Sequence, residues 1–87
     1  MFIYSPYISF CDMKETIFII DERDSGVYSL NAVSAEVWRL VEMNYPLEMI
    51  VNKISSIYGI SSDEISVDIS QILFELQEMG LIINDCA

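Results

Sequence analysis

The chain contains no histidine. The side chain that most often serves as general base, proton shuttle or metal ligand near neutral pH is therefore missing. Basic residues are scarce too: 4 Lys and Arg against 14 Asp and Glu give a net charge of −10. Such a surface repels nucleic-acid phosphate and anionic lipid and draws cationic partners. The 3 glycines stand alone at Gly26, Gly59 and Gly80, so there is no Gly-rich phosphate loop. Cys11 and Cys86 fit no metal or redox spacing, and two free thiols in a reducing cytoplasm are expected. No apolar run approaches the roughly 18 residues of a membrane span. Met1 to Phe10 lacks the basic start and unbroken apolar stretch of a signal peptide. No nucleophile has a base at a recognisable spacing. Asp21, Glu22 and Asp24 lack the ligand order and distal Glu of a calcium loop and read as a solvated turn. No catalytic residue, cofactor or metal is expected.

What is abundant is apolar. Of 87 residues 53% are hydrophobic, enough for one domain over residues 1–87 with a thin core. A thin core favours work at a surface or edge. Tyr7, Ile8 and Phe10, ending at Asp12, form a first short strand. Thr16-Ile17-Phe18-Ile19-Ile20 is apolar on both faces and reads as a central strand covered on both sides. Asp24-Ser25-Gly26 is a turn, and Val27 to Leu30 makes a third strand. The outer strands of such a meander each leave one edge unpaired.

The remainder has helical spacing. Asn31 suits the N-cap of a helix from about Ala32 to Met43, with Val33, Val37, Leu40 and Val41 on one face and Trp38 widening it toward the core. Pro46 suits the first turn of a second helix, whose stripe is Leu47, Ile50, Val51, Ile54, Ile57 and Tyr58. Gly59 ends that helix, and Ser61 with Glu64 forms a capping box for a third. Ile65, Ile69, Ile72, Leu76 and Met79 make its buried seam, and Gly80 stops it before an extended tail, Leu81 to Ile83. Met43, Met49 and Met79 read as core filler. Three strands followed by three helices predict an α+β domain of winged helix-turn-helix layout.

Gly26-Val27-Tyr28-Ser29-Leu30-Asn31, then Ala35 and Trp38, resembles the G-x-Y-x-L-N-x-x-(A)-x-x-x-W signature of the PqqD-like family, with Ala35 one place from the customary position. Asp68-Ile69, Ile72-Leu73, Leu76 and Gly80-Leu81 resembles that family's D-V-x-x-F-L-x-x-L-x-x-x-G-L ending, with Ile69 for Val and Ile72 for Phe. Tyr45-Pro46 replaces the usual Thr or Ser cap of the second helix. The likeness runs from about Ile17 to Ile83. It implies a RiPP recognition element, a non-catalytic adaptor that holds the leader of a ribosomally made precursor peptide for a modifying enzyme or leader peptidase, in pyrroloquinoline quinone, lasso-peptide or similar pathways. It further implies that the leader adds as a strand to the third strand and lies in a cleft against the third helix.

The residues themselves agree with that picture. An open edge strand offers backbone donors and acceptors for strand addition. On the third helix Asp68, Gln71 and Glu75 fall together beside Ile72, an acidic wall that would attract a leader carrying Lys or Arg. The expected peptide-binding residues are Val27, Tyr28, Ser29 and Leu30 with Asp68, Gln71, Ile72 and Glu75. A DNA-binding regulator is the alternative for this layout, but Ser61 to Met79 holds no Lys or Arg and five acids, Asp63, Glu64, Asp68, Glu75 and Glu78. A scaffold subunit of an enzyme complex is a further alternative. Val67 and Phe74, opposite the seam of the third helix, form an extra apolar patch suited to a partner enzyme or a homodimer.

Overall fold

Apolar residues alternate along the start of the chain and then recur at helical spacing, and the computed structural model, which describes residues 2–84, follows that change of period. The elements are β1 (Phe2–Tyr4), β2 (Ile8–Asp12), β3 (Thr16–Asp21), β4 (Gly26–Asn31), α1 (Ala32–Glu42), α2 (Leu47–Tyr58), α3 (Ser62–Glu78) and β5 (Ile82–Asn84). Strands β2, β3 and β4 form an antiparallel sheet in that order, so β3 is central and β4 lies at an edge. Three helices follow, as expected for the α+β winged helix-turn-helix layout. A second, two-stranded sheet was not foreseen: β1 pairs antiparallel with β5, Phe2 opposite Asn84 and Tyr4 opposite Ile82. The tail expected at Leu81 to Ile83 is thus a strand clasped by the start of the chain.

The core lies between the inner face of the meander and the helices. Ile17 and Ile19 of β3, Leu30 of β4, Ala35, Val37, Trp38 and Val41 of α1, Ile50 and Ile54 of α2, and Ile65, Ile69, Leu73 and Leu76 of α3 are buried together. Trp38 is central to it. The ring of Tyr4 stacks on its indole at 4.2 Å between centroids, and Phe10 meets it edge-on at 5.4 Å. The Tyr4 hydroxyl donates to the Trp38 carbonyl at 2.5 Å. Burial pushes that phenol's pKa well above its ordinary value. One indole thus joins the small sheet, the meander and α1.

Several expectations need correction. Strand β3 is covered on one face only: Ile17, Ile19 and Asp21 are buried, whereas Phe18 and Ile20 are exposed. Its centrality holds in the hydrogen-bonding plane but not across the sheet, because α1 packs on one side of it and no described element covers the other. The α3 seam runs Ile65, Ile69, Leu73 and Leu76, with Ile72 half-buried at its margin and Met79 exposed. On α2 only Ile50, Val51 and Ile54 are buried; Leu47, Ile57 and Tyr58, at its two ends, are exposed. Met43 and Met49 are likewise exposed rather than core filler.

The caps are mixed. Asn31 makes no side-chain cap, and the chain turns from β4 into α1 through Ala32 at φ +50°, a costly conformation for a residue with a Cβ. Pro46 stands at the N-cap of α2, one place ahead of its first turn. Gly59 ends α2 at φ +65°, and the Ser61 hydroxyl accepts from the Glu64 N–H at 3.3 Å. Cys11 is free and exposed, and Cys86 lies outside the described residues. No described helix is long and apolar enough to cross a membrane.

Arg39 of α1 fastens the β2–β3 hairpin. Its Nε and Nη2 donate to the two Asp12 carboxylate oxygens at 2.7 and 2.8 Å, Nη1 donates to Glu36 at 2.7 Å, and Nη2 also reaches the Lys14 carbonyl. The guanidinium and the Lys14 N–H hold the Asp12 carboxyl at about 2, below its ordinary 3.8. A carboxyl lowered on folding contributes stability above its unfolded pKa and loses it as pH falls through the folded one. The stability advantage of the native protein over Asp12→Asn should therefore be constant above about pH 5, shrink below pH 4 and be lost as pH falls through about 2. Urea unfolding of both proteins across that range measures it. A gap that persists undiminished at pH 2 would show that this pair does not contribute.

Candidate functional site

Pairing of β4 with β3 decides which of its backbone groups are free. The register sets Ile17 opposite Leu30, Phe18 opposite Ser29, Ile19 opposite Tyr28 and Ile20 opposite Val27. On the other side of β3, Met13 N–H donates to Thr16 O and Glu22 N–H donates to Tyr7 O. Even-numbered residues of β3 therefore bond toward β2. Because an antiparallel strand turns successive residues to opposite sides, Ile17 and Ile19 bond toward β4, to Leu30 and Tyr28. Val27 and Ser29 consequently direct both N–H and C=O to the open edge. No described strand pairs there.

The same alternation sorts the side chains. Tyr28 and Leu30 face the helices, Tyr28 half-buried and Leu30 buried, while Val27 and Ser29 lie exposed on the outer face. The four residues expected to bind peptide thus divide in two. Val27 and Ser29 carry the free backbone, whereas Tyr28 and Leu30 spend their backbone on β3 and offer side chains to the floor. Leu30 belongs to the core, so its side chain is not open to a ligand.

The other expected wall is α3. Its packing is against α1, α2 and β5, with no comparable packing against β4, so the two stand apart. Asp68, Gln71 and Glu75 are exposed on one side of the helix, and Gln71 Nε2 donates to Glu75 Oε1 at 3.1 Å. Ile72 sits beside them, half-buried against the core like Tyr28. An open groove of about 620 Å³ lies elsewhere, between the starts of α2 and α3, lined among others by Leu47, Val51, Asp63 and Ser66. Strand addition needs an edge rather than a cavity, so the groove's distance from β4 does not count against the edge.

The family model for coenzyme PQQ synthesis protein D (PqqD) matches residues 16–82. The chain belongs to the PqqD family. Two solved structures superpose on this PqqD-family chain over nearly its full length. One is TbiB1 in complex with the TbiA(beta) leader peptide, with TM-score 0.88, 19% identity, and coverage of 97% of this chain and 98% of that one. The other is lasso peptide synthetase B1 complexed with the leader peptide, with TM-score 0.86, 19% identity, and coverage of 95% and 98%. At that identity the likeness speaks for the fold. No curated protein matches the sequence.

One feature of this PqqD fold escaped the sequence reading. Asp21, expected in a solvated turn, is buried. Arg23 donates from Nε and Nη2 to its two carboxylate oxygens at 2.9 and 2.7 Å, and Nη2 continues to the Gly80 carbonyl at 2.9 Å. The guanidinium holds the Asp21 carboxyl below its ordinary range. The bridge fastens the β3–β4 turn to the end of α3 and so joins the two proposed walls at one end. The available signal was scarcity: Arg23 is one of 4 bases, set between two acids.

Gly80 has φ +74°, and a Cβ there would come within 2.8 Å of Arg23 Nη2. Gly80→Ala should destabilise the domain by roughly 1–2 kcal/mol from backbone strain alone. It should also displace Arg23. Thermal unfolding of Gly80→Ala alone and combined with Arg23→Ala tests this: the extra loss from the clash should disappear when Arg23 is absent. Additive losses would mean that the two positions do not interact.

Proposed function

We propose that this PqqD-family protein is a non-catalytic adaptor that binds the leader of a ribosomally made precursor peptide and presents it to a modifying enzyme or leader peptidase. The observation that carries the reading is the open edge of β4, where Val27 and Ser29 aim unpaired N–H and C=O groups outward. A leader strand pairs with those groups, and its inward side chains meet Tyr28 and Ile72. Both solved neighbours are described as leader-peptide complexes, which supports the same partner class here. The acids Asp68 and Glu75 favour a leader carrying Lys or Arg. The DNA-binding alternative is disfavoured because no Lys or Arg stands on α3.

Main-chain amide shifts recorded while the precursor leader is titrated test the site. The largest should fall on residues 27–30 and on α3 near Ile72; shifts confined to α2 would sink strand addition as the mode. Val27→Pro and Ser29→Pro each remove one outward donor without touching a β3 ladder bond, and each should weaken binding about five- to tenfold. Affinity for a basic leader should also fall between low and high salt, since exposed charges are screened over about 8 Å at physiological ionic strength. An affinity indifferent to salt would leave main-chain and apolar contacts as the whole of the interaction.

A further inference from the structure

Strand addition by itself does not fix the register of a leader. The free groups of Val27 and Ser29 are backbone groups. A leader displaced by two residues, about 7 Å, keeps every main-chain bond and the same alternation of side chains. An enzyme that acts at one bond of the precursor needs a single register, so something beyond the ladder has to set it.

The end of the cleft nearest Gly26 is closed by side chains. Arg23 reaches from the β3–β4 turn to the end of α3, where its Nη2 donates to the Gly80 carbonyl at 2.9 Å. Two bonds to Asp21, itself 3% exposed, hold the guanidinium there, and its carbon lies 5.5 Å from the centroid of the Tyr7 ring. Beside it the Asp24 carboxylate accepts from the Gly26 N–H at 2.8 Å. Tyr28 leans back over Gly26, so that a Cβ there would lie 3.3 Å from the Tyr28 hydroxyl. The outward ladder stops here as well, because Ser25, two residues before Val27, has left the strand at φ +59°. Neighbouring strands stand about 4.8 Å apart, so a strand cannot pass between groups already joined by a hydrogen bond. The Arg23 side chain is nevertheless 44% exposed and can meet a peptide.

We propose that Arg23 sets the register of the leader: its bridge to Gly80 is a stop against which the extended segment of the leader ends. The proposal rests on leader addition at β4. Arg23 is a positioning residue that contributes little affinity and selects among registers of equal main-chain pairing. At the stop the leader bends out of the cleft, and the positions that pair with β4 are counted from that bend.

The test uses the full chain and a series of precursor leaders, each with one photo-crosslinking residue at a successive position. Mass spectrometry locates the cross-links. On the native protein one leader position should account for most of the cross-linking to residues 27–29. Asp21→Asn/Arg23→Ser removes the guanidinium without stranding a buried carboxylate. In that variant the leader position two residues along should cross-link to the same place in comparable yield, with affinity within about threefold of native. Gly80→Ala displaces Arg23 while Asp21 stays paired, and it should show the same spread, should the double variant melt early. Arg39→Gln removes the other guanidinium clasp, at the opposite end of the meander, and should keep the single register. One unchanged register in both cleft variants would overturn the proposal, as would an equal spread in Arg39→Gln, the mark of general loosening. A native protein that holds the leader in several registers overturns it too. Absence of leader binding by the native protein overturns instead the adaptor reading beneath it.

Discussion

The pairing of β4 with β3 is the constraint on which the candidate site depends. A strand in an antiparallel sheet alternates twice over, once in the direction of its hydrogen bonds and once in the face its side chains take, and the two alternations run in step. In β4 the residues that pair with β3, Tyr28 and Leu30, are therefore also the ones whose side chains enter the core. The residues that leave the backbone free, Val27 and Ser29, carry side chains on the outer face. Edge and outer face are thus one feature of the same residues. Burial of Ile17, Ile19 and Leu30 holds the register, because a slip by one residue would expose that apolar set and bury Phe18, Ile20 and Ser29 in its place.

Charge is organised around the same frame. Arg39 ties the β2–β3 hairpin to α1 and Arg23 ties the β3–β4 turn to the end of α3. A third base, Lys53, lies over the ring of Tyr45. The scarce bases serve largely inside the molecule, so the field it presents to a partner is almost wholly acidic. In the proposed mode that field would draw cationic chains toward α3, where Asp68 and Glu75 stand exposed.

The order of the meander strands and the three helices was legible because each of these carries a local signal: β-branched runs in the meander, Gly59 and Gly80 as stops, and Ser61 as an N-cap. The central place of β3 in its sheet was legible as well. What misled was the apolar character of Phe18 and Ile20. Continuous apolarity reads as burial on both faces, and a half-exposed strand with an apolar outer face looks the same in sequence. The shift of the α3 seam from Ile72 to Leu73 has a similar origin, since both residues are apolar and adjacent, and the packing of α1 and α2 decides between them. The pairing of β1 with β5 was not legible at all, because its partners stand at opposite ends of the chain and each is too short to show a period. For the candidate site, the residues at 27–30 and on α3 were readable as motif positions. Which of them present backbone and which present side chain required the register.

An edge also suits a domain this small. A side-chain pocket specific enough to hold a peptide must be walled by a core with volume to spare, and here Trp38, Tyr4 and Phe10 already fill the space between the sheets and α1. An edge needs no enclosed volume, since its donors and acceptors belong to the backbone that the fold has already ordered. It is also tolerant of substitution, because alternation depends on pairing rather than on which side chains are present. A pocket would drift with its lining. That difference fits a fold retained at TM-scores of 0.88 and 0.86 while only 19% of residues are shared. In the proposed mode affinity comes from the backbone and discrimination from side chains such as the acids of α3. Changing Asp68 or Glu75 would then retune the partner without disturbing the strand that holds the peptide.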